Sequence, residues 1–156
     1  IEQELALCDR TAEKHFINYT SWQYRRWLVD YFQLNIDEEL TRNSRWLDLN
    51  LSDSSGFSFR TFLLSKSEGQ RSLIQDELRS NEEKLRSFLD RESLWIYRQT
   101  LIFLALKHFR FDQRTLFEEE LRLIQTFPKH LFADRYGRLI STLSSSNGVK
   151  YRDENK

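Results

Sequence analysis

Apolar positions in this chain recur every three or four residues over stretches of about fifteen, the spacing that places them on one face of a helix. The first stretch, Ile1 to His15, carries Leu5, Cys8 and Ala12 in this register. A second opens near Asn18, a good N-cap residue, and runs to about Leu34 with Trp22, Arg25/Arg26 and Val29 on one side. Asn35 and Glu38, at capping-box spacing, start a third that carries Leu40, Trp46 or Leu47 and ends near Asn50. Ser52 or Asp53 caps a fourth through Gly56, Phe57, Arg60 and Leu64. A polar linker, Ser65 to Ser72, separates it from a charged fifth stretch with Leu73, Leu78, Leu85, Phe88 and Leu89. Asp90 or Ser93 caps a sixth through Trp95, Arg98, Ile102 and Leu106. Thr115 and Glu118 form a capping box for a seventh, which must end before Pro128. The eighth holds Phe132, Arg135, Tyr136 and Leu139.

A phrase recurs in every second stretch: a polar residue, an aromatic, then arginine one turn later. Its copies are Asn18…Trp22-x-x-Arg25, Asp53…Phe57-x-x-Arg60 and Trp95-x-x-Arg98, with Phe132-x-x-Arg135 as a fourth. Trp22, Phe57 and Trp95 lie 35 and 38 residues apart, a period characteristic of stacked structural repeats. The pattern predicts four helical hairpins, at about 1–34, 35–65, 72–109 and 115–143, each burying its apolar stripe against the next. Residues 144–156 read as a disordered tail of Ser, Gly and charge. The aromatics are read as core knobs between units. Each arginine is expected to find carboxylates or helix-end carbonyls of the neighbouring unit. Arg26, beside Arg25, is expected to point to a different and exposed face. Gly56 implies a close helix approach or a frayed first turn.

Composition narrows the function classes. Lys+Arg and Asp+Glu are both 24, so total charge favours neither nucleic acid nor an anionic membrane. Cys8 is the only cysteine, which excludes an internal disulfide and a cysteine zinc site, and is read as a small core residue. The longest apolar run, Leu101 to Leu106, is far short of a membrane span. With no signal peptide, a cytoplasmic location is expected. The opening at Ile1 without methionine suggests a piece of a longer chain. His15, His108 and His130 fall in different units, and no nucleophile elbow or phosphate-binding glycine loop occurs. The carboxylate runs Glu82-Glu83 and Glu118-Glu119-Glu120 read as solvated faces. No catalytic or metal-ligating set emerges.

The phrase Asn18-Tyr-Thr-Ser-Trp-Gln-Tyr-Arg-Arg-Trp-Leu28 resembles the repeat of the protein prenyltransferase alpha subunits. Leu51-Ser-Asp-Ser-Ser-Gly-Phe-Ser-Phe-Arg-Thr-Phe-Leu-Leu64 is similar to a branch of that family in which glycine and phenylalanine replace a small residue and tryptophan. Glu92-Ser-Leu-Trp-Ile-Tyr-Arg98 resembles the next repeat, and Phe132-Ala-Asp-Arg-Tyr136 the last helix. The resemblance implies an all-α fold, a right-handed alpha-alpha superhelix or solenoid of about four hairpins. It implies a non-catalytic alpha-type subunit of a heterodimeric protein geranylgeranyltransferase, of the third type. Its partner would be a Rab-type beta subunit, and its protein substrate would end in a cysteine. Zinc and the prenyl diphosphate would sit in that beta subunit, leaving no cofactor in this chain. Tyr19 matches a family tyrosine that approaches the diphosphate, whereas Ile17 stands in the place of a lysine. Tyr19 and Arg26 are therefore the candidates for contact with partner or diphosphate. The other reading is a helical-repeat protein scaffold unrelated to prenylation.

Overall fold

The computed structural model describes residues 1–14, 19–67, 71–109 and 111–146. Eight helices appear among them: α1 Glu2–Lys14, α2 Tyr19–Phe32, α3 Ile36–Leu49, α4 Ser54–Lys66, α5 Arg71–Ser87, α6 Glu92–Lys107, α7 Gln113–Gln125 and α8 Leu131–Ser146. They pair in chain order as four hairpins, α1 with α2, α3 with α4, α5 with α6 and α7 with α8. Successive hairpins meet mainly through their second helices, α2 on α4, α4 on α6 and α6 on α8. The second helices thus form a continuous inner row, with the first helices splayed outside it. This is the all-helical stack that the periodic phrase predicts.

Local chemistry sets the helix ends. Asn35 caps α3 by accepting from the Asp37 and Glu38 amides. Asp53, not Ser52, caps α4 through the Ser55 and Gly56 amides. Two other expected caps are wrong. Asp112 caps α7 through the Thr115 amide, so that helix starts before the Thr115 box. Arg91 precedes α6 without a side-chain cap, because Ser93 instead turns its hydroxyl to the Leu51 carbonyl of the preceding unit. α8 continues through Ser146 with Ser144 buried, so the expected tail boundary at 144 falls inside a helix. Asn18, His15 and Ile17 lie outside the described residues.

The core runs the length of the stack, from Trp22 and Val29 through Phe57, Phe59 and Leu63 to Trp95, Leu101, Phe117 and Ile140. Such aromatics each remove some 150–250 Å² from water, so one per joint is a large share of what a hairpin can bury. Trp22 stacks on Phe59 at 5.1 Å, Phe57 meets Tyr97 at 4.7 Å and Trp95 meets Tyr136 at 5.7 Å. Every inter-unit joint therefore carries an aromatic pair between consecutive second helices. Cys8 is buried beside Leu5 and Leu28, and burial pushes its thiol pKa up. That is the environment of a packing residue and not of an activated thiolate.

Candidate functional site

The repeated arginines converge on one device used at each joint. Arg98 donates from Nε and Nη2 to both oxygens of Glu120, at 2.6 and 2.7 Å, and from Nη1 to the Leu78 carbonyl and Asn81 Oδ1. Arg60 repeats this with Glu77 ahead of it and with the Leu40 carbonyl and Asn43 Oδ1 behind. Arg25 makes the same two-point bond to Glu39. Each arginine leaves the second helix of one unit and takes its carboxylate from the first helix of the next. The guanidinium fork matches the two carboxylate oxygens, which fixes both distance and angle across the joint.

The arginine side matches expectation, and the carboxylate side reveals a second phrase. Glu4-Leu5-x-x-Cys8, Glu39-Leu40-x-x-Asn43, Glu77-Leu78-x-x-Asn81 and Glu120-Leu121-x-x-Ile124 occupy equivalent places on the four first helices. Glu39, Glu77 and Glu120 are all buried, so the reading of the Glu118–Glu120 run as a solvated face fails at Glu120. The asparagines close the motif. Asn43 and Asn81 donate to the carbonyls of Gly56 and Leu94 at the start of their own second helices, while accepting from the arginine. A tyrosine completes it in the last two units: Tyr97 donates to Glu77 at 2.7 Å and Tyr136 to Glu120 at 2.6 Å.

Electrostatics follow from this geometry. Burial alone would lower the pKa of Arg98, but the Glu120 carboxylate outweighs it and holds the group above its ordinary value. Arg60 and Arg25 behave alike beside Glu77 and Glu39. Burial first, and then the adjacent Glu77 and Glu120, push Tyr97 and Tyr136 well above the usual phenol range. These tyrosines remain neutral donors.

Asp53 is a second node. One carboxylate oxygen caps α4, and the other accepts the indole N–H groups of Trp22 at 3.0 Å and Trp46 at 2.9 Å. It joins units one and two. Gly56 sits against it: a Cβ there would lie 3.0 Å from the Asp53 oxygen and 3.1 Å from Leu47 Cδ2. Of the two expected reasons for the glycine, close approach of α3 holds, while the first turn of α4 is buried and capped by Asp53 and therefore not frayed.

Two expected positions need correction. Arg135 is exposed and reaches only Glu92, at 3.6 Å, while Phe132 is half-buried. The true register in α8 is set by Tyr136, the counterpart of Tyr97, so the arginine place falls on Gly137. Its usual partner place on α7 is Ile124, whose Cγ2 lies 3.4 Å from where a Gly137 Cβ would stand. Arg26 is half-buried, not exposed: it donates to Ser58 at 2.7 Å and lies over the Phe62 ring. Its buried Nε has no partner among the described residues. Tyr19 is exposed on α2.

Grooves open on the surface among the described residues. One, of about 220 Å³, runs between α4 and α6 and is lined by Ser54, Ser58, Thr61, Ser93, Ile96 and Thr100. Another, of about 490 Å³, opens between α5 and α7, with Arg71, Arg79, Glu82 and Glu119 around the Arg98–Glu120 pair. Among the described residues, no group of three or more His, Cys, Asp or Glu could hold a metal ion. Nor is any helix among them long and apolar enough to cross a membrane.

Comparison with known proteins adds a family context. Residues 1–32, the first hairpin, match the protein prenyltransferase alpha subunit repeat. The chain is 32% identical over 146 residues to protein prenyltransferase alpha subunit repeat-containing protein 1-A of Xenopus laevis, covering 83% of this chain and 31% of that protein. The 1-B protein of the same species is 28% identical over 144 residues, with the same coverage. Human protein prenyltransferase alpha subunit repeat-containing protein 1 is 32% identical over 68 residues, 41% of this chain and 17% of its own length. The chain spans about a third of the length of the Xenopus relatives.

Proposed function

The chain belongs to the family of prenyltransferase alpha subunit repeat proteins, and from that premise we propose that it is a non-catalytic alpha-type subunit of a heterodimeric protein geranylgeranyltransferase. It pairs with a beta subunit of the Rab geranylgeranyltransferase type, which holds the zinc and the prenyl diphosphate. Together they modify C-terminal cysteines of membrane-traffic proteins.

One observation carries this reading. The charged residues of the repeat are used inside the stack, at Arg25, Arg60 and Arg98, so the repeat is a rigid frame. The inner row of second helices is left to present side chains that the frame does not need. On α6, Ile96 lines the hydroxyl-rich groove shared with α4, and Phe103, two turns further along the helix, is also exposed. An apolar pair within a polar rim is the composition of a docking surface. At the groove's edge Arg26 donates to Ser58, and we assign its guanidinium, with the exposed Tyr19, to an acidic group of the partner or its ligand. Positioning of this kind contributes to catalysis by converting encounter into fixed geometry.

The test is co-expression with a Rab-type geranylgeranyltransferase beta subunit. The reading predicts co-purification and prenyl transfer to a cysteine-ended substrate. Ile96→Glu with Phe103→Glu should abolish capture without lowering the melting temperature. Capture of an unrelated protein in place of the beta subunit would favour the scaffold reading.

A further inference from the structure

Two outer furrows of the stack are built on the same arginine–glutamate bond but differ in what crosses them. Between α3 and α5, above Arg60 and Glu77, Lys84 reaches Asp48 at 2.9 Å and only about 20 Å³ is left open. Between α5 and α7, above Arg98 and Glu120, the cleft is about 490 Å³. Its ends are bridged by arginines of α5 lying on rings of the next unit. Arg71 sits over Phe111 at 4.4 Å, just before α7, and Arg86 over Phe127 at 5.9 Å, just after it. The two helices therefore run side by side in one direction, with about 22 Å of α5 between the bridges.

Between the bridges, no ion pair crosses the cleft among the described residues. Arg79 pairs with Asp76 of its own helix at 3.4 Å, and Glu82 with Arg86 of its own. Glu82 also lies close enough to Arg98 to raise its pKa. Gln75 and Glu119 have no side-chain partner among the described residues. The walls thus face each other with opposite polarity. Gln75 and Arg79, one turn apart on α5, offer donors, while Thr115 and Glu119, one turn apart on α7, offer acceptors. An exposed ion pair contributes only about 0–1 kcal/mol, so Arg79 and Glu119 gain little by collapsing onto each other. The volume is that of a ligand pocket, which spans about 300–1,000 Å³.

We propose that the α5–α7 cleft is a binding site for a short dipolar peptide segment of a partner protein, which sets a carboxylate on Gln75 and Arg79 and a lysine or arginine on Thr115 and Glu119. The bridged ends limit the occupant to a short segment. Charge complementarity selects its two signs: a purely anionic ligand would face Glu82 and Glu119, and a purely cationic one Arg79. The site lies on the outer row of first helices, away from the α4–α6 groove, so it stands independently of the prenyltransferase assignment.

The test uses the whole chain, isotope-labelled and titrated with a blocked hexapeptide, Ala-Asp-Ala-Ala-Lys-Ala. Two control peptides replace either Asp or Lys by alanine. Amide NMR shifts should concentrate at residues 75–82 and 112–119 and fade at high salt. Arg79→Glu and Glu119→Lys should each weaken binding about tenfold. Both side chains are exposed, so neither change should lower the melting temperature. The double reversal should restore affinity, because the peptide can bind turned end for end. No shift in these helices, equal binding of the control peptides, or a double variant that fails to recover overturns the inference. So does strong coupling of Arg79 with Glu119 in unfolding without peptide, since the cleft would then close on itself.

Discussion

The joint at Arg98 and the joint at Arg25 use the same two-point bond but differ behind it. At Arg98 the third donor is closed by Leu78 and Asn81, and Tyr136 adds a bond to Glu120. At Arg25 the place of the asparagine is Cys8, which offers only a weak acceptor. Arg25 turns its Nη1 to the neighbouring Asp9 instead, whose side chain is 53% exposed. Position 59 is a phenylalanine in place of tyrosine, so Glu39 lacks the phenol donor. At one joint every partner of the guanidinium is buried, and at the other one partner, Asp9, is half exposed to water. A buried ion pair resists loss of one partner most strongly where nothing, including water, can replace it.

Breaking the joint whose partners are all buried should therefore have the largest effect. Arg98→Met leaves Glu120 buried and without its cation and should cost about 3–5 kcal/mol in denaturant unfolding. Arg25→Met should cost less, about 2–3 kcal/mol, because water reaches the Asp9 side. Equal losses would remove the distinction between the joints. Next in size is Asn81→Leu, which strips the Leu94 carbonyl of its donor and Arg98 of an acceptor. It should cost about 1–3 kcal/mol by the same measurement, as a buried polar group left unpaired does.

The smallest effect is one of pH. Tyr97 and Tyr136 have folded pKa values raised above the ordinary phenol value of 10.0. A raised pKa contributes stability that is present below the unfolded value and lost as pH rises past it. Melting temperature should fall above about pH 10, and Tyr136→Phe should flatten that fall. Unit one, with Tyr24 at the surface, should add little to it.

The sequence shows one half of this device more clearly than the other. Trp22, Phe57 and Trp95 with their arginines stand out because large aromatics are rare and their spacing is regular. The glutamates are equally regular but hidden, since Glu120 sits in a run of three and a carboxylate on a charged helix looks solvated. The need to satisfy a buried guanidinium was the available signal: Glu-Leu recurs at 4, 39, 77 and 120. The fourth unit misleads for a related reason. Phe132 and Arg135 keep the aromatic–arginine spacing, but the helix is anchored by Tyr136 on Glu120, which turns Arg135 to solvent. The groove of α4 and α6 was not legible, because Ile96 and the serines acquire meaning only when two helices lie side by side.

A double-mutant cycle on Arg98 and Glu120 tests the central claim, that one buried arginine–carboxylate pair fixes each joint. Arg98→Met, Glu120→Gln and the double variant would be compared by urea unfolding. The account predicts strong coupling, on the order of 2–3 kcal/mol, with the double variant far less damaged than the sum of the singles. Additive losses would contradict it, and would leave the aromatic contacts to hold the hairpins together.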